Sequence, residues 1–153
     1  ILYTGRGALC WLPNLEEWAK VCSALVKPGG VLYLEESTPM LNALDVGEGT
    51  DETRLGLKYD LFNENPVSEI GEGSYASPEA DIERTCHSWE YRYDTLFNAL
   101  INNGFMIESL NERDELAWAP WPEMFEISRP NFWRLKEDQV NFPLSFTLKA
   151  TRV

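Results

Sequence analysis

The side chains with the most chemistry to offer in this 153-residue chain are one histidine, three cysteines and a group of tryptophans. His87, two residues before Trp89, can take a proton from an attacking group, although a surface or capping histidine looks the same in a sequence. Cys10, Cys22 and Cys86 make an odd set with no C-x-x-C pair, which points to free thiols rather than a disulfide framework or a zinc site. Trp118, Trp121, Phe132 and Trp133 can wall a pocket for an apolar or cationic ligand. They can equally cover one end of a sheet, because Pro120, Pro122 and Pro130 make this stretch a loop-rich flap that needs large anchors. Gly5-Arg6-Gly7 follows an apolar strand, but a lone G-x-G is too short for a dinucleotide fingerprint and reads as a turn.

The charge limits the partners. Thirteen Lys and Arg against twenty-five Asp and Glu leave a net charge of −12 and a pI near 4.5. Little cationic surface remains to neutralise phosphates or sit on anionic lipid, so nucleic acid and membrane are not expected partners. No apolar run nears the roughly 20 residues that span a bilayer, and no signal peptide opens the chain, so a cytoplasmic location is expected. With 44% hydrophobic residues, positions 1–153 have the apolar content for one packed domain. Ile1 opens the chain in mid-strand, which reads as a truncated or processed piece.

The elements that must position these residues follow from periodicity. Ile1 to Thr4 reads as a buried strand. Asn14 caps a helix over 14–26, with Leu15, Trp18, Ala19, Cys22, Leu25 and Val26 on its apolar face and Glu17 in the capping-box position. Pro28-Gly29-Gly30 stops it, and 31–36 is a strand expected to lie parallel to the first. From Ser37 to about Ser88 acids and glycines dominate, while Leu55, Leu57, Tyr59, Leu61, Phe62 and Tyr75 argue for a folded lid with short strands, an insertion over about 42–86. Ser88 is placed as the cap of a second helix whose stripe is Trp89, Tyr93, Leu96, Phe97, Leu100 and Ile101, with Gly104 as its stop. Strands are expected over 105–111 and 144–150.

Leu25-Val26-Lys27-Pro28-Gly29-Gly30-Val31-Leu32 resembles the block before the fifth strand of class I S-adenosylmethionine-dependent methyltransferases. The likeness extends to Gly7-Ala8-Leu9-Cys10-Trp11-Leu12-Pro13, Glu72-Gly73-Ser74-Tyr75-Ala76, Trp89 with Asn98-Ala99-Leu100-Ile101, and Pro143-Leu144-Ser145-Phe146, as in a bacterial small-molecule branch. The resemblance implies an α/β fold, a partial Rossmann-like mixed sheet in the family order 4-5-7-6 with the last strand of the chain antiparallel and flanking helices, and the C-terminal half of the methyltransferase domain. The family's glycine-rich loop and ribose-binding acid are not found among these residues, so S-adenosylmethionine binding is expected to be weak or absent.

The family likeness places Thr4, Gly5, Arg6, Gly7, Cys10 and Trp11 beside the methionine end of the cofactor, and Tyr75, His87, Trp89 and Trp133 toward a small-molecule methyl acceptor. No metal is implied. Methyl transfer from a sulfonium is an in-line displacement, in which proximity and desolvation do most of the work. A thin set of acid-base groups is therefore no objection. The alternative reading is a non-catalytic half-Rossmann module. In both readings the first strand is an open apolar edge that self-association or an absent N-terminal segment must cover, and a homo-oligomer through that strand is expected.

Overall fold

The computed structural model describes residues 1–46, 55–72, 77 and 80–153. In chain order, β1 (Leu2–Gly5) passes through a 3-10 turn at Leu9–Trp11 to α1 (Leu15–Leu25), β2 (Val31–Ser37), the short helix α2 (Pro39–Ala43), β3 (Leu44–Val46) and β4 (Leu55–Leu57). β5 (Val67–Glu72), β6 (Glu83–Ser88), α3 (Tyr93–Asn102) and β7 (Phe105–Arg113) follow. After a second 3-10 turn at Pro122–Met124 come β8 (Phe125–Arg129), β9 (Phe132–Leu135) and β10 (Ser145–Arg152).

One four-stranded sheet organises the chain, in the order β1-β2-β10-β7. β1 and β2 are parallel, and β10 runs antiparallel to both β2 and β7. This is a mixed α/β arrangement with the expected neighbours. Two-residue alternation sends Leu32 and Leu34 of β2 toward the helices, where they are fully buried with Ala19 of α1, Leu100 of α3 and Leu148 of β10. The opposite face carries Tyr3 stacked on Tyr33, ring centroids 6.3 Å apart, and a Lys149–Glu108 ion pair. A second core of Leu41, Leu116, Met124, Phe125, Leu135 and Leu144 joins α2 to the β8–β9 hairpin.

The Asn14 cap is present, its Oδ1 accepting from the Glu17 amide at 3.1 Å, but Leu25 at the helix end is 69% exposed and leaves the apolar face. The second helix needs a larger correction. Ser88 ends a strand instead of capping a helix, because 83–88 pairs with 67–72 and the Trp89 amide donates to the Cys10 carbonyl at 2.8 Å. These bonds hold the backbone extended through a stretch whose side-chain spacing looks helical. The helix starts four residues later than Trp89, with Arg92 at its N-cap. Ile101, expected in its buried stripe, is exposed. β7 and β10 each extend two residues beyond their expected ends, and the Trp/Pro-rich stretch contains the β8–β9 hairpin. Short strands occur in the acidic insertion as two antiparallel pairs, β3–β4 and β5–β6.

Candidate functional site

In an open α/β sheet, ligands settle beyond the carboxyl ends of the parallel strands. Here β1 and β2 both end at one rim, and Gly5 closes it. A Cβ on Gly5 would stand 2.4 Å from the Glu35 carbonyl oxygen, so the two strand ends approach only because that atom is absent. The chain then reverses through Arg6 and Gly7, at φ values of 65° and 82°.

Glu36 holds this reversal in place. Alternation puts it on the same face as Leu32 and Leu34, and it is only 6% exposed. Its carboxylate accepts the amides of Gly7 at 2.7 Å, Ala8 at 2.9 Å and Leu9 at 3.3 Å. Burial pushes the carboxyl above its ordinary value, and these donors oppose the shift without reversing it.

Outside this clamp lies an open groove of about 940 Å³. Arg6, Gly7, Cys10 and Trp11 line one side of it, and Arg84, Cys86 and Trp118 complete the wall. Trp11 is 52% exposed and Trp118 37%. A narrower cavity of about 50 Å³ shares Gly7, Cys10, Ser37 and Asn42 with the groove and adds Glu36, Trp89 and Tyr91. Arg6 is tied at 3.4 Å to Glu35 and lies over the Phe132 ring.

The sequence-derived candidates thus divide. Arg6, Gly7, Cys10 and Trp11 come together in the groove, while Thr4 and Gly5 sit in the β1–β2 ladder opposite Leu34 and Glu35. Trp89 lines the narrower cavity. His87 does not reach either space: Arg84 and Cys86 face the groove, so alternation along β6 turns the exposed His87 away, where its Nδ1 lies 2.9 Å from Ser68 Oγ. Trp133 packs with the second core, and Trp118 takes the groove position. Tyr75 lies outside the described residues. All three thiols are free.

Three groups escaped the sequence reading: Glu36, Asn42 and Glu90. For Glu36 a signal existed, since a carboxylate in phase with Leu32 and Leu34 is a buried polar group that must have donors. Nothing comparable marked Glu90. Burial, and then the charge of Glu69, push its carboxyl up to about 7, opposed by a hydrogen bond from Asn42. Its Oε2 is buried without a partner. The thiol of Cys10 is raised to about 12 by burial and then by the charges of Glu36 and Glu90.

The Glu90 shift predicts a pH-dependent stability. A carboxyl raised in the fold from 4.5 to about 7 contributes stability that is complete below 4.5 and lost as the pH rises through about 7. Discounted for the group's partial exposure, the loss is roughly 1–2 kcal/mol. Glu90→Gln should therefore melt with the parent chain at pH 4 and several degrees above it at pH 8. Parallel melting profiles across that range would refute the assignment.

No protein-family model and no curated protein matches the sequence. Solved structures do match in fold. A Listeria monocytogenes protein assigned as an S-adenosylmethionine-dependent methyltransferase aligns with TM-score 0.60 and 17% identity over 99% of this chain. An S-adenosylmethionine-dependent methyltransferase from Mesorhizobium loti gives 0.55 and 18% over 98%, and one from Methanosarcina mazei 0.51 and 15% over 99%. The chain spans 60%, 60% and 58% of those structures. At these identities the likeness establishes the fold, a mixed α/β sheet like part of these methyltransferases. Among the described residues no helix is long and apolar enough to cross a membrane.

Proposed function

We propose that the chain is the C-terminal half of a class I S-adenosylmethionine-dependent methyltransferase domain that acts on a small molecule. The observation that carries the reading is the strand order β1-β2-β10-β7 with β10 antiparallel, the arrangement the resemblance implies for 4-5-7-6. The groove beyond β1 and β2 agrees with it, because it lies where such a fold takes its cofactor. When bound, S-adenosylmethionine would supply an electrophilic methyl group. Of this chain's own residues, Gly7 would allow close approach, Cys10 and Trp11 would flank the ligand, and Trp118 would close the far wall and exclude water.

The fit is partial. The Gly7, Ala8 and Leu9 amides, which could have held a ligand's carboxylate, are already given to Glu36. Affinity of the isolated chain is therefore expected to be weak. Calorimetry with S-adenosylhomocysteine should show no micromolar binding, while millimolar ligand should shift the NMR amide signals of Gly7 to Trp11 and the Trp11 indole. Trp11→Ala should abolish those shifts and leave the far-ultraviolet circular dichroism unchanged, since the ring is half exposed. Saturating ligand without any shift along the rim would overturn the reading. We further propose that the chain self-associates through β1.

A further inference from the structure

We propose that a cavity between the N-terminal turns of α1 and α3 and residues 61–64 of the insertion binds a primary ammonium compound with a compact apolar body, with Glu90 as its countercharge. The site is separate from the groove, with which it shares no lining residue, and it does not rest on the proposed function.

The cavity measures about 330 Å³. Two bonds between distant parts of the chain shape it. The Trp89 amide donates to the Cys10 carbonyl at 2.8 Å and the Tyr91 hydroxyl to that of Leu12, so residues 89–92 are held beside the turn that leads into α1. Leu15, Leu61 and Ala99 give the space apolar walls, and Trp89 and Tyr91 add aromatic ones. Such surfaces attract cations as well as apolar groups.

The charge around the space has the matching sign. Glu16, Glu64 and Glu90 line it against a single cation, Arg92. That cation is engaged elsewhere: its Nε lies 2.9 Å from Asp94, its Nη1 donates to the Leu61 carbonyl at 3.2 Å, and its guanidinium stands 4.4 Å from the centre of the Phe62 ring. Among the described residues no Lys or Arg forms an ion pair with Glu16, Glu64 or Glu90.

Of the three carboxylates Glu90 is the anchor. Glu16 accepts from the Asn103 side-chain amide at 2.8 Å, and Glu64 is exposed at the rim. Glu90 accepts from Asn42, but its Oε2 is buried without a partner. Neither water nor protein satisfies the inner side of this carboxylate, and the cavity is the side from which compensating charge can arrive. A primary ammonium brings a full positive charge and three donors on a compact head, while its apolar body meets the walls.

Titrating the full chain with cyclohexylammonium, cyclohexanol and cyclohexanecarboxylate separates charge from shape, at pH 8, above the value of about 7 to which burial raises Glu90. NMR amide and indole shifts locate the ligand. The ammonium should bind about tenfold more tightly than the alcohol, and the carboxylate more weakly than both. Its shifts should fall on Leu61, Asn63, Thr95 and the Trp89 indole and leave Gly7 and the Trp11 indole unmoved. Glu90→Gln should cut the ammonium's advantage to about twofold or less without changing the affinity for the alcohol. Because this variant is expected to melt above the parent chain at pH 8, the loss cannot be ascribed to unfolding. Glu64→Gln, at the rim, should reduce the advantage by only about twofold. Absence of ammonium binding, shifts confined to the groove rim, preference for the carboxylate, or an advantage unmoved by Glu90→Gln would each overturn the proposal. The S-adenosylhomocysteine titration bears on the groove alone.

Discussion

Glu36→Ala is expected to destabilise the chain by about 3–5 kcal/mol, a large share of the 5–15 kcal/mol that holds a domain of this kind together. The substitution leaves the amides of Gly7, Ala8 and Leu9 without their acceptor, that of Leu9 in a buried position and those of Gly7 and Ala8 in part-buried ones. Each orphaned buried donor costs roughly 1–3 kcal/mol. Against this stands the desolvation of the carboxyl itself, which its raised pKa shows to be substantial, so the donors do not add in full. Glu36→Gln separates the two contributions: an amide oxygen can still accept from part of the turn, but its NH2 group meets a donor where the second oxygen stood. An intermediate loss of about 2 kcal/mol is expected for it. With a urea slope of about 2 kcal/mol/M, the alanine variant should lower the midpoint by about 2 M. A shift below half that value would mean that desolvation cancels the bonds and that the rim is held by Leu9 packing alone.

The same residue shows where sequence reading stops. Helix α1 was legible because Leu15, Ala19 and Cys22 are all satisfied by one local face, and Asn14 caps it within three residues. The sheet was legible for the same reason, since Val31 to Leu34 and Leu144 to Leu148 are strongly apolar. Trp89 misled because Trp89, Tyr93 and Leu96 have helical spacing, while the bond that decides the backbone there goes to Cys10, far away in sequence. Glu36 is likewise defined by the distant turn at Gly7 to Leu9. The groove is similar: Trp11 and Trp118 become partners only when the sheet has closed, and nothing in the spacing of Trp118, Trp121 and Trp133 says which ring faces outward.

A homo-oligomer joined through β1 is the second large effect, and the ladder geometry makes it testable at one atom. Arg6 N donates to the Glu35 carbonyl at 2.7 Å. In a parallel ladder alternate residues point their backbone groups to the same neighbour, so Leu2 and Thr4 also bond toward β2. The amide and carbonyl of Tyr3 then face the open edge of the sheet, since β2 is the only strand paired with β1 among the described residues. Ile1 is 98% exposed and Tyr3 53% beside them. The nearest charge, Arg6, is engaged with Glu35 and leaves little to repel a second copy. Such an edge invites pairing with another strand. Light scattering at tens of micromolar should give a dimer or larger. Tyr3→Pro removes the outward donor at the middle of the edge and keeps every amide that bonds β2, so it should yield a monomer with an unchanged circular dichroism spectrum. If the copies instead meet through the outer face of α1, Tyr3→Pro should leave the assembly intact and Trp18→Ala should dissociate it. A monomer in the unaltered chain, with the Tyr3 amide strongly protected from exchange, would mean that this edge is covered from within the chain.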